Sequence, residues 1–173
     1  MRVSKAFWIW CQFANEDTKF LKVLQSELFK YFKSPFFEIH LTLHGPIVDK
    51  KELDIEKILE LKNKFTSFEI EAMSYAISNN IYTSLFIDIA KTNNLTLIKK
   101  YLNKEILIQN QTAPFKPHIS LIYGNFNENK KKNIIKSLPQ IKGKKFKIKN
   151  LAIADVNENT NKWNIIEKIY FKN

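Results

Sequence analysis

Two histidines of this chain stand in matching frames, each two residues ahead of a hydroxyl. His40-Leu41-Thr42 lies in the segment from Phe37 to Gly45, and His118-Ile119-Ser120 in the segment from Lys116 to Gly124. Both read histidine, apolar, hydroxyl, apolar, with a glycine soon after. Only three histidines occur in the chain. On a strand, residues two apart share a face, so each segment offers an imidazole beside a hydroxyl. Two such pairs across one groove supply a general base, a general acid and hydrogen bonds to a phosphate. Imidazole suits both proton roles because its ordinary pKa of about 6.5 lies near working pH. Neither hydroxyl has a base dedicated to it, so Ser120 does not read as a nucleophile.

The elements around these segments repeat. Phe7 to Phe13 reads as an aromatic strand. Asn15 to Lys33 reads as an amphipathic helix, with Phe20, Leu21, Leu24, Leu28, Tyr31 and Phe32 at helical spacing and Pro35 beyond its end. Phe37 to Leu43 is expected as a strand. A helix over Leu53 to Phe65 follows a start signal from Asp49 and Glu52. Phe68 to Ile77 and Ile81 to Ala90 read as strands around an Asn79-Asn80 turn. Leu95 to Lys104 reads as a helix, Pro117 to Ile122 as a strand and Glu128 to Leu138 as a short basic helix. Phe146 to Val156 and Trp163 to Phe171 read as a closing hairpin. Strand, helix, strand with His40, helix, strand is thus followed by the same order around His118. The two histidines lie 118 − 40 = 78 positions apart, an internal duplication that brings equivalent strands to one groove. Residues 1–173 are expected as one bilobal domain. Gln109 to Pro114 is the expected mobile loop ahead of the second motif.

Composition bounds the partners. The net charge of +11 suggests an anionic partner: a nucleotide, a phosphate ester or RNA. All but one of the basic residues are lysine, and Ile and Asn are abundant, so an AT-rich coding sequence accounts for part of that charge. Asp and Glu do not cluster with the histidines, so no metal or other cofactor is expected. One cysteine, Cys11, excludes an internal disulfide and suggests a cytoplasmic chain. No apolar run approaches a membrane span.

Alternation in the first strand sends Phe7, Ile9, Cys11 and Phe13 to the core and Trp8, Trp10 and Gln12 to the groove. The same parity places Tyr82, Ser84 and Phe86 together. Trp8, Trp10, Tyr82, Phe86 and, at the end of the second motif, Tyr123 are therefore candidates to stack a base or touch the substrate. A regular strand carries His44 along the face of His40, about 13 Å away, too far to share a metal; it is expected at the rim or in a structural role. Lys130-Lys131-Lys132 is expected as a solvated helix face.

The paired motifs resemble the 2H phosphoesterase superfamily, named for two His-x-Thr/Ser motifs in two pseudo-symmetric lobes. Pro117-His118-Ile119-Ser120-Leu121-Ile122-Tyr123-Gly124 and the Trp-bearing first strand resemble its plant and fungal cyclic nucleotide phosphodiesterase branch, over most of the chain up to about Val156. The resemblance implies an α+β fold with two antiparallel-sheet lobes around a groove and helices outside. It implies metal-independent hydrolysis of a 2′,3′-cyclic nucleotide or related cyclic phosphate, such as ADP-ribose cyclic phosphate. His40, Thr42, His118 and Ser120 take the four motif positions, with His118 as base for water and His40 as acid. The arginines of some branches are absent, which weighs against ADP-ribose cyclic phosphate in particular. RNA end processing or 2′-5′ phosphodiester cleavage is the second enzymatic reading, and a non-catalytic nucleotide- or RNA-binding module a third. The expected form is a monomer acting on a nucleotide, with RNA ends as a further possible partner.

Overall fold

A computed structural model describes residues 5–106 and 114–172. In chain order the elements are strand β1 (Ala6–Phe13), helix α1 (Asn15–Phe29), β2 (Leu41–Ile47), short helices α2 (Ile55–Leu59) and α3 (Leu61–Lys64), β3 (Phe68–Ile77), β4 (Leu85–Ile89), α4 (Asn93–Glu105), β5 (His118–Ile122), α5 (Glu128–Ile135), β6 (Lys145–Val156) and β7 (Asn164–Tyr170). The seven strands form one antiparallel sheet system in the order β1-β2-β5-β4-β3-β6-β7, and β1 also pairs with β6. The pairings therefore close on themselves, with β7 appended to β6.

The halves interlock. The first half supplies β1-α1-β2, but its next strand, β3, pairs with β4 of the second half. The second half supplies β4-α4-β5, and its next strand, β6, pairs with β1. Two seams join the resulting sub-sheets. At β2–β5, Leu41 faces Ile119; at β3–β6, Glu69 faces Lys147. Both partners are 78 positions apart, the spacing of His40 and His118, so a pseudo-twofold axis passes through both seams.

Alternation in β1 sorts its side chains as its sequence predicts. Phe7, Ile9, Cys11 and Phe13 join the main core with Leu21, Leu24 and Leu28 of α1. Trp8 and Trp10 pack on the other face with Ala154, Val156 and Trp163. Burial raises the Cys11 thiol pKa, which keeps it an un-ionised core residue.

Several expected boundaries move. The helix foreseen over Leu53 to Phe65 is two short helices, and Asp54, not Asp49, caps the first by accepting from Lys57 N; Asp49 caps a 3₁₀ turn at Lys50–Glu52. The strand foreseen from Ile81 begins only at Leu85, because Ile81–Thr83 forms a 3₁₀ turn capped by Asn80. The first motif strand runs later than foreseen and passes through Gly45. The Lys130-Lys131-Lys132 run is not a uniformly solvated face. Lys131 is buried and donates to Ser78 O at 2.7 Å, and Lys130 donates to Tyr31 O at 2.6 Å. Lys130 and Lys132 are exposed as expected, Lys132 pairing with Glu128 one turn away. Of the expected mobile loop, Gln109 to Ala113 lies outside the described residues. No helix among the described residues is long and apolar enough to cross a membrane.

Candidate active site

The two motif strands meet beside the β2–β5 seam and open onto one cavity of about 280 Å³. His40 and Thr42 line it from one half, His118 and Ser120 from the other. Trp8, Trp10, Tyr82 and Tyr123 line it as well, so eight of the nine residues singled out from sequence are brought together. Phe86 is the ninth. It lies on the groove face, as the partner of Ser120 across β4–β5, but packs edge-on against the His118 ring at 5.4 Å.

The backbone orients both imidazoles in the same way. Nδ1 of His40 donates to the carbonyl of Glu38 at 2.6 Å, and Nδ1 of His118 donates to that of Lys116 at 2.9 Å. A carbonyl only accepts, so each neutral ring carries its proton on Nδ1 and keeps Nε2 open. The environments then diverge. His40 is buried and stacks on Trp10, with ring centres 3.8 Å apart and planes 12° from parallel. Burial lowers its pKa to about 4; the charge of His118 pushes the same way, and the Glu38 hydrogen bond opposes it. His118 is half-buried, nearer to solvent.

The hydroxyls differ too. Ser120 Oγ donates its one proton to Tyr82 O at 2.9 Å and is bonded to the Tyr123 phenol. Thr42 makes no such bond among the described residues, so its hydroxyl is the ready donor. Tyr123 is buried, stacks on Phe37 at 3.8 Å and is braced by Ser34 Oγ, which accepts from its backbone N–H. Burial raises its phenol pKa and keeps it protonated.

The glycine that follows each motif is needed where it stands. Gly45 has φ +129°, and a Cβ there would meet the Trp8 ring at 2.7 Å; Gly124 has φ +133°, and a Cβ would meet Phe126 at 2.8 Å. Gly45 thus lets the Trp8 indole lie across β2.

His44 is neither a rim residue nor on the face of His40. Trp10 faces Thr42, but the next residue back, Ile9, faces His44, so β2 carries one extra residue, Leu43. This β-bulge turns His44 to the helix side. There it is buried, donates from Nε2 to Ile106 O at 2.9 Å and accepts at Nδ1 from Lys99 Nζ at 3.4 Å.

Four lining residues were not read from sequence: Asn80, Thr83, Val156 and Trp163. Trp163 lies 5.5 Å from Trp10 and 6.2 Å from His40, ring centre to ring centre. Its only sequence signal was its parity with Ile165, which packs in the same cluster. Asn80 and Thr83 line the wall through the 3₁₀ turn that sequence reading took as strand. Among the described residues no lysine or arginine lines the cavity, and no group of three or more His, Cys, Asp or Glu could hold a metal ion.

The model of one family, described as "Cyclic phosphodiesterase-like protein", matches residues 1–171. The chain belongs to that family. It is accordingly a phosphoesterase, and its sheet is the 2H phosphoesterase fold. No curated protein matches the sequence. TT0787 of Thermus thermophilus is a similar solved structure, with a TM-score of 0.67 and 16% identity over 96% of this chain and 98% of that one. LigT of Escherichia coli in apo form has a TM-score of 0.62 and 11% identity, covering 98% of each chain. LigT complexed with 3′-AMP has the same TM-score and identity, over 98% of this chain and 99% of that one.

Proposed function

We propose that this family member hydrolyses a small cyclic phosphate, with a 2′,3′-cyclic nucleotide as its leading substrate, by proton transfer between two imidazoles. The observation that carries the reading is the pair of Nε2 atoms held open on one cavity by matching carbonyl clamps. His118, nearer to solvent, takes a proton from water as its oxygen attacks phosphorus. His40, deeper in the cavity, gives its Nε2 proton to the ribose oxygen as the P–O bond breaks. The product is a phosphomonoester, and the two imidazoles end with their proton exchanged. Thr42 donates to a non-bridging oxygen, where a charge-assisted bond strengthens as charge develops. No metal takes part in this scheme.

LigT is named as complexed with 3′-AMP and with phosphate, which supports a nucleotide phosphate in the same fold. The cavity is near the lower end of small-ligand pockets, about 300 Å³, and has no lysine among the described residues of its lining. Both features favour a mononucleotide over an RNA end.

The test is turnover of a panel: 2′,3′-cyclic mononucleotides, cyclic-ended RNA, 2′-5′ dinucleotides and ADP-ribose cyclic phosphate, with EDTA throughout. Hydrolysis of the cyclic mononucleotide is expected to survive chelation. His40→Ala and His118→Ala, both folded, should each slow it by at least about 100-fold, the lower range for lost acid–base help. Near-normal turnover by either variant would refute the mechanism, and preference for the 2′-5′ or RNA substrates would replace the substrate.

A further inference from the structure

Trp10 and Phe86 occupy equivalent places in the two halves. Trp10 is the cross-strand partner of Thr42, and Phe86 that of Ser120. Each therefore meets the histidine of its own motif, but the contacts differ. Phe86 touches His118 with a ring edge, its plane inclined by 69°; Trp10 lies flat on His40, its plane inclined by 12°. Trp10 is also only 2% exposed, and Trp163 closes on it at 5.5 Å. A base platform needs a free ring face, and the indole has none to offer: His40 covers one face, and packing leaves the residue only 2% exposed.

We propose that Trp10 is the positioning residue for His40, its indole fixing the imidazole plane and shutting water from one ring face, and that it is not a platform for the base. The Glu38 carbonyl fixes one atom of the ring but leaves rotation about that bond. The flat indole removes that freedom, which matters because a proton donor acts only within a narrow geometry. His118 on β5 is the titratable neighbour that acts on His40. Among the described residues Tyr82 and Tyr123 are the other titratable groups in the lining, and no carboxylate or lysine lines it. Removal of the indole therefore exposes His40 to water without bringing it a new charge. Water favours the imidazolium, so the ring should then protonate more readily in the empty site.

This inference rests on the reading of His40 as the acid, and the readouts are chosen to part the two. Full-length wild type, Trp10→Leu and Trp10→Phe are compared by NMR titration of the histidine rings and by steady-state hydrolysis of a 2′,3′-cyclic mononucleotide. In Trp10→Leu the His40 midpoint should rise from about 4 by at least one pH unit. Its kcat should fall at least about tenfold, within the range of lost acid–base help, while KM stays within about threefold. Trp10→Phe keeps a flat face, so its kcat should recover most of that loss. A KM raised about tenfold with kcat and the His40 midpoint unmoved would overturn the proposal and make Trp10 a base platform. If Trp10→Leu does not fold, Trp10→Phe decides by the same readouts, with smaller shifts of the same sign. If the wild type hydrolyses no cyclic phosphate, the functional reading falls, and the His40 titration still decides the role of Trp10.

Discussion

An anion entering the cavity should bring a proton with it. Among the described residues no lysine or arginine lines the site, so the positive charge they can set opposite a phosphate comes from an imidazole. In the empty site burial holds His40 near a pKa of about 4, so at pH 6 only about 1% of it is charged. A unit negative charge about 4 Å from Nε2 contributes about 4 kcal/mol at an effective dielectric constant of about 20, or about three pKa units. Added to about 4, that gives a His40 pKa of about 7 and a ring about 90% protonated at pH 6. Sulfate is a clean probe because it does not titrate near neutral pH. Calorimetric titration of sulfate at pH 6, in buffers of different ionisation enthalpy, should show about one proton taken up per anion at His40. The His40→Gln variant should take up about one proton fewer. A binding enthalpy independent of buffer, or equal uptake in both proteins, would refute the argument and leave His40 unable to serve as acid.

Further outcomes follow from single contacts. Thr42 has the uncommitted hydroxyl, so Thr42→Val should lower kcat/KM roughly 10- to 100-fold, the worth of a charge-assisted hydrogen bond. Ser120→Ala should cost less, because its proton already goes to Tyr82 O; equal losses would mean that Ser120 turns to the phosphate. Burial, followed by the Lys99 charge, lowers the His44 pKa to about 4. Between about 6.5 and about 4 the unfolded chain binds a proton here that the folded chain refuses, so stability falls as pH falls, by up to about 3 kcal/mol from this ring. Urea unfolding at pH 7 and at pH 4.5 should show a smaller difference for His44→Gln than for wild type, and an unchanged difference would exclude His44 as a source of acid sensitivity.

The motif pair was legible because its information is local. Period-2 spacing puts an imidazole and a hydroxyl on one face whatever lies around them, and β1 carries an alternation that only one packing satisfies. Misplaced features depend on distant backbone. His44 changed faces through a single extra residue, Leu43, whose presence shows only against Ile9 and Trp10 of the neighbouring strand. Lys131 read as solvated because nothing near it in sequence accepts from it; its acceptor, Ser78, is 53 positions away. Trp163 reaches the cavity by packing with Trp10 of β1, far from it in sequence, and with Ala154 and Val156 of β6. Phe86 had the right parity, but its ring met His118 before it met the cavity.

The exchange of third strands between the halves governs how this protein is made as it leaves the ribosome. β1 runs along β6 from Ala6 opposite Val156 to Phe13 opposite Ile148. Synthesis of the intervening stretch, roughly 150 residues, takes roughly 8 to 30 s at about 5–20 residues per second. Through that interval the nascent chain presents Phe7, Trp8, Ile9, Trp10 and Phe13 with one strand edge unfilled, a sticky template for neighbouring nascent chains. Translation speed and holdase chaperones should therefore govern soluble yield more than the finished fold does, because the cavity can close only after most of the chain has been made.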